Sequence, residues 1–296
     1  MALFYMRPTP TSPRFLVVLL VLGRVSNLPT VWSNCLAAWL LAGGGAGGRF
    51  ASVCLGATLF YIGGMFLNDA FDVEFDGKHR PERPIPSGQI SRRAVWIFGS
   101  GLLGLGGLLV IPLGMAPALA AIGLVVAIII YDAMHKRTAL APVFMAACRY
   151  GLCVMAASVA ERGFNVPGQA HALALAAYVA GLSCLAKGER TGGAASRWCV
   201  GLIMAPGLIP LFTSDGSAAA FLFLVPLVVW GAWILWCLNR TGSRLAPRRS
   251  PDVSGLLAGI VLVDWLAVGG GEPKLALVFV GLFVIANLLQ RLVPAT

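Results

Sequence analysis

The chain has 296 residues, 58% of them hydrophobic and 11% charged, with a net charge of +10 and a mean hydropathy of +0.83. A soluble domain carries roughly 25% charged residues, so this composition excludes a globule covered by polar surface. The basic balance comes without a face of interleaved bases and aromatics on a soluble domain, which excludes nucleic acid as the partner and leaves membrane topology as its cause.

Apolar runs near 20 residues can cross a hydrocarbon core of roughly 30 Å as helices, and they recur along the chain. Read between polar or Gly/Pro breaks, they predict helices over 15–41, 50–67, 93–112, 116–131, 141–160, 169–186, 197–212, 218–238, 253–268 and 274–290. The first continues through Arg24 and Asn27 with no small-residue cleavage site, and is expected to be a retained helix, not a signal peptide. The segment 253–268 is short and carries Asp264, so it reads as re-entrant, tilted or fully spanning. The seven cysteines fall inside apolar segments, without a CxxC pair or a zinc-type His/Cys cluster, and read as small core residues. Residues 1–296 form one expected domain.

With the N-terminus cytoplasmic, seventeen of the basic residues fall in inside loops, against Arg49, Arg162 and Lys274 outside, while Arg24 and Arg149 lie within helices. That asymmetry follows the positive-inside rule. The basic loop 239–252 reads as a connection facing lipid headgroups.

The chemistry concentrates where the second segment ends, in NDAFDVEFDGKHRPERPIPSGQIS. Asp69, Asp72 and Asp76 stand at i, i+3 and i+7, which places three carboxylates on one helical face, with Asn68 one turn below Asp72. Like charges held this close at a membrane interface call for a bound cation. Oxygen-only ligands favour Mg²⁺, so Asn68, Asp69, Asp72 and Asp76 are the expected metal ligands. Glu74 lies on another face. Lys78, Arg80 and Arg83 follow within one loop and can neutralise phosphate oxygens, although a positive-inside loop supplies such bases in any case. The run Pro84 to Gly88 fixes a rigid turn. The segment reads as a Mg²⁺-dependent diphosphate site on the cytoplasmic face.

NDAFDVEFD matches the NDxxDxxxD signature of the UbiA superfamily of intramembrane prenyltransferases, and RPIPSGQIS resembles the sequence that follows it there. Arg24 and Asn27 (GRVSNLPT) look like that family's RxxN element. Tyr131 and Lys136 (YDAMHKRT) look like its YxxxxK element, with Asp132 inside it. The resemblance implies an all-α polytopic bundle or barrel of about nine to ten transmembrane helices around a central cavity. It implies transfer of a prenyl group from a polyprenyl diphosphate to a small acceptor, often aromatic, with Mg²⁺ bridging two Asp-rich motifs. With the residue reading above, it makes Asp69, Asp72, Asp76 and Lys136 the expected catalytic set, with Arg24, Asn27, Asn68, Tyr131 and Asp132 around the substrate, joined by Lys78, Arg80 and Arg83 from the basic loop and by Arg149. The expected location is a multi-pass cell membrane of the bacterial inner-membrane kind, with membrane lipid as surroundings and no obligate protein partner.

The second Asp-rich motif departs from the family pattern. The corresponding stretch, YVAGLSCLAKGERTGG, holds one acid, Glu189, between Lys187 and Arg190. One principal Mg²⁺ is therefore expected, with Lys187 and Arg190 taking part of the diphosphate charge. This pattern is similar to divergent UbiA-like proteins encoded in bacterial ebo-type clusters. Arg149 and Asp264 lie at costly membrane depth, and either they pair or Arg149 lines the cavity near the diphosphate. His171 and Asn287 read as packing or interfacial residues. Two other functions fit the same segments: a UbiA-type terpene cyclase, and a carrier that binds an anionic isoprenoid without chemistry. A transporter is expected to show internal repeats with interrupted helices, and none is evident in the sequence.

Overall fold

The computed structural model describes residues 13–191, 197–213, 217–239 and 252–293, and within them every regular element is a helix. In lipid a backbone satisfies its own hydrogen bonds or leaves them unmade at several kcal/mol each, and a helix satisfies them within the segment.

The first segment is broken. Helices α1 (Pro13–Leu22) and α2 (Leu28–Leu41) meet at 51° around Arg24, which adopts left-handed backbone angles, φ 42. A residue other than glycine pays strain there. The break turns Arg24 toward the end of α3 (Gly47–Phe71), and Pro29 in the first turn of α2 sits where its missing N–H is not needed. Asp72 joins α3 to the short α4 (Val73–His79), so the three carboxylates of the sequence straddle a helix junction instead of one continuous face.

After the loop to α5 (Arg92–Val110), Ser91 caps the helix by accepting from the Ala94 N–H at 3.2 Å. Then come α6 (Met115–Met134), α7 (Ala141–Ala157), α8 (Val166–Thr191), α9 (Arg197–Met204), α10 (Pro210–Thr213) and α11 (Ser217–Asn239). The segment 253–268 divides at Gly259 into α12 (Val253–Ala258) and α13 (Ile260–Val268), and α14 (Pro273–Leu292) closes the chain. Among the described residues, six helices are long and apolar enough to cross a membrane, or seven if the bent first pair is one span. The remaining apolar segments, 141–157, 197–212 and 253–268, are shorter helices. Large apolar side chains such as Leu108, Leu119 and Leu277 are exposed on the outer faces, as expected where the solvent is lipid.

Helix α13 is buried along Ile260–Ala267, at the centre of the bundle. At its break from α12, Tyr178 donates to Leu256 O at 2.6 Å, and Trp233 Nε1 donates at 2.8 Å to Gly255 O, which also accepts the Gly259 N–H at 2.9 Å. Helices α3 and α5 approach most closely through glycines. A Cβ on Gly63 would stand 2.9 Å from Gly99 O, and one on Gly106 would stand 3.1 Å from Gly56 O. Small residues let backbones touch, which replaces the hydrophobic drive that lipid does not supply. Gly63→Ala is expected to weaken the folded state by about 1–3 kcal/mol, because the obstacle is backbone. Gly104→Ala, which meets nothing within 4 Å, is the matched control; equal detergent melting temperatures for the two variants would contradict the close α3–α5 contact.

Candidate functional site

A cavity of about 530 Å³ opens between α2, α3, α6, α7 and α8. Its walls are apolar, with Val31, Ala57, Phe60, Leu124, Leu152 and Leu182 among them, and its polar end carries Asp72, Arg80, Arg83, His135 and Lys136. The same cavity is lined by Arg24, Asn27, Asn68, Tyr131, Asp132, Arg149 and Lys187, so residues spread over six segments of sequence share one space.

Asp69, Asp72 and Asp76 are 7%, 6% and 1% exposed, which forces their charges to find partners. Arg83 bridges two of them, its Nη1 lying 3.2 Å from Asp69 Oδ1 and 2.8 Å from Asp76 Oδ2. Arg24, delivered by the break in the first span, adds Nη2 at 3.2 Å from Asp69 Oδ1. Lys136 Nζ stands 3.1 Å from Asp72 Oδ2 and 4.0 Å from Asp76 Oδ1, above the Phe75 ring at 3.5 Å from its centroid. His135 Nε2 lies 3.2 Å from the same Asp72 oxygen, its ring stacked on Tyr131 with centroids 4.9 Å apart. Asn68 ties α3 to α6 by donating to Asp132 Oδ1 at 3.0 Å.

Burial raises the Asp72 carboxyl, but the His135 hydrogen bond and charge, then Lys136, outweigh it and hold Asp72 below the ordinary carboxylate value. The sign follows: Asp72 contributes stability above its unfolded pKa, and that stability is lost as the pH falls through the lowered folded value.

Among the described residues, no three His, Cys, Asp or Glu side chains converge closely enough to hold a metal; the negative charge is met by Arg24, Arg83 and Lys136, with His135 hydrogen-bonded to Asp72. The chemistry of the donors nevertheless fits a hard divalent ion. They are oxygens, and Asp76 Oδ1 and Asp132 Oδ2 are buried without a hydrogen-bond partner.

The expected site residues separate into three groups. Asp72, Lys136, Arg24, Asn27, Asn68, Arg80, Arg83, Tyr131, Asp132, Arg149 and Lys187 line the cavity, while Asp69 and Asp76 lie behind Arg83. Lys78 is corrected: it is exposed and off the cavity wall, because it follows inward-facing Asp76 by two positions on α4 and so points away. The side chains of Glu189 and Arg190 lie outside the described residues, so the altered second motif is represented by Lys187 alone. Arg149 and Asp264 do not pair directly; Asn34 stands between them. His171 is not interfacial: it is fully buried, with Nε2 at 2.7 Å from Asp264 Oδ1. His135, Thr30, Ser33 and Asn34 were not among the expected site residues, and their signal was polarity inside or beside apolar spans.

The family model described as UbiA prenyltransferase family matches residues 26–251. Digeranylgeranylglyceryl phosphate synthase from Methanopyrus kandleri is 35% identical over 128 residues, covering 43% of this chain and 45% of that protein. The same enzyme from Metallosphaera sedula is 41% identical over 81 residues, 27% of this chain and 28% of that one. The chain thus spans less than half the length of these relatives. A solved UbiA homologue from Archaeoglobus fulgidus bound to DMAPP and Mg²⁺ superimposes with a TM-score of 0.62 at 12% identity, covering 91% of this chain and 99% of that one. At that identity the likeness shows the fold.

Arg83→Ala leaves Asp69 without one partner and Asp76 without its shortest, and is expected to weaken the protein by about 2 kcal/mol in the absence of divalent ions. If the carboxylates take Mg²⁺, millimolar Mg²⁺ narrows the melting-temperature gap to wild type; a gap indifferent to Mg²⁺ would contradict the fit.

Proposed function

The chain belongs to the UbiA prenyltransferase family, and on that premise we propose that it performs Mg²⁺-dependent transfer of a prenyl group from a polyprenyl diphosphate to a small acceptor inside the membrane. The observation that carries this reading is the gathering of acidic and basic side chains at one end of an otherwise apolar cavity. Names of relatives support it: several are digeranylgeranylglyceryl phosphate synthases, and A. fulgidus homologues were solved with GPP or DMAPP and Mg²⁺.

Asp72 and Asp76, with Asp69 and Asn68 beside them, would hold the metal, which when bound neutralises the diphosphate as it leaves. Arg83, Arg80 and Lys136 are placed to bind phosphate oxygens, and Arg83 and Lys136 exchange a carboxylate partner for a phosphate in doing so. Lys187 lines the same cavity and adds a cation where the family pattern has acids, which supports one principal metal. Arg24 orients Asp69. The aliphatic and aromatic walls keep water from the allylic cation that forms as the carbon–oxygen bond to diphosphate breaks, until the acceptor bonds to that carbon. A pure carrier has no use for the buried carboxylates.

We place the chain in a cell membrane with its N-terminus and the 77–91 loop cytoplasmic, on the strength of the basic-residue asymmetry. The named relatives are archaeal, which lends the expected bacterial inner membrane no support.

Asp72→Ala and Asp76→Ala are each expected to abolish Mg²⁺-dependent turnover of a prenyl diphosphate while the protein stays folded in detergent. Full activity in both removes the site assignment. Thiols introduced in the 77–91 loop are expected to label from the cytoplasm only; labelling from the opposite side overturns the orientation.

A further inference from the structure

The cavity holds a second polar station, between α7 and α2 and apart from the three carboxylates. Arg149 on α7 lines the cavity but touches none of Asp69, Asp72 or Asp76. Its Nη1 donates to Asn34 Oδ1 at 2.7 Å and its Nη2 to Thr30 Oγ1 at 3.1 Å. Between those two residues on α2 stands Trp32, whose Nε1 donates to Thr58 Oγ1 on α3 at 3.0 Å. Thr58 lies roughly 16 Å along that helix from Asp69, so the Trp32 contact sits away from the carboxylate end.

A row of buried side chains fixes the guanidinium in place. Asn34 Nδ2 donates to Asp264 Oδ2 at 2.7 Å, Ser33 Oγ donates to the same oxygen at 2.5 Å, and His171 meets Asp264 Oδ1 at 2.7 Å. Thr30, Ser33, Asn34, His171 and Asp264 are all fully buried. The carboxylate of this network reaches Arg149 only through Asn34, so the guanidinium itself contacts two neutral oxygens. An ion pair that served packing alone gains most from direct contact. Here the amide intervenes, and the planar fork, with five N–H donors, keeps further donors for the cavity it lines.

We propose that Arg149 is the specificity-determining residue for the acceptor, and that the acceptor carries an oxyanion, a carboxylate or a phosphate, which this guanidinium receives. The assignment deepens the prenyl-transfer reading and rests on it. The prenyl diphosphate occupies the carboxylate end, and the acceptor is oriented from the opposite side by its own negative group.

The test uses the purified full chain in detergent with Mg²⁺ and saturating geranyl thiolodiphosphate, a non-transferring probe that fills the carboxylate end. Benzoate, phenyl phosphate and neutral benzamide are then titrated by ligand-observed NMR. Wild type is expected to bind at least one anion about tenfold tighter than benzamide, the effect of one charge-assisted contact. Arg149→Gln is expected to lose that preference and Arg149→Lys to keep part of it, with geranyl thiolodiphosphate binding unchanged in both. Preference for benzoate or for phenyl phosphate tells carboxylate from phosphate. No anion preference in wild type, or its persistence in Arg149→Gln, overturns the assignment. If Arg149→Gln does not fold, a photoreactive benzoate on wild type decides: cross-linking beside Arg149 supports the proposal, and cross-linking elsewhere overturns it. Failure of wild type to bind geranyl thiolodiphosphate strikes the prenyl-transfer reading instead.

Discussion

Three carboxylates buried side by side in a poorly hydrated wall repel one another, and their neutralisation governs the arrangement around them. Arg83 lies between Asp69 and Asp76, Lys136 between Asp72 and Asp76, and Arg24 against Asp69. These cations come from the first span, the loop after α4 and the end of α6, so charge pairing draws distant segments to one end of the cavity. The left-handed backbone at Arg24 and the bend it makes are the strain associated with bringing that guanidinium to α3. The same pairs suit the diphosphate site proposed above. Each cation already stands where negative charge concentrates, and has only to exchange one oxyanion for another.

The rest of the molecule obeys the companion constraint that lipid supplies no hydrogen bonds. At the break between α12 and α13, Tyr178 and Trp233 donate to the backbone carbonyls of Leu256 and Gly255. Polar residues inside the spans are drawn into hydrogen-bonded groups, among them the fully buried network around Asp264. Glycines set the α3–α5 distance, and α3 in turn carries Asn68 and Asp69 to the cavity. Packing in the membrane and chemistry at the mouth therefore share one helix.

Much of this was legible in the sequence. Apolar length placed the apolar segments to within a few residues, and the spacing of Asp69, Asp72 and Asp76 announced a charged end. But three of the ten expected helices are broken, and six or seven among the described residues, not nine to ten, have spanning length. Three features were not legible. Lys78 faces outward because it follows inward-facing Asp76 by two positions on α4, so the basic run after the carboxylates does not all turn to the cavity. The break at Arg24 accompanies an ion pair with Asp69, a residue distant in sequence, which the local pattern of the first span does not reveal. Arg149 and Asp264 were readable as costly charges, but the amide that separates them, Asn34, belongs to a helix distant in sequence, and only packing reveals it.

Prenyl transfer at the carboxylate end is tested most directly by incubating the purified protein with Mg²⁺, a series of prenyl diphosphates and a small-molecule extract of the source cells, with mass spectrometry of everything released or joined. Diphosphate released only when Mg²⁺ is present, together with an extract component heavier by one prenyl group, is the predicted result. Prenyl diphosphate recovered intact, or converted to a cyclic hydrocarbon with no extract component modified, would contradict it.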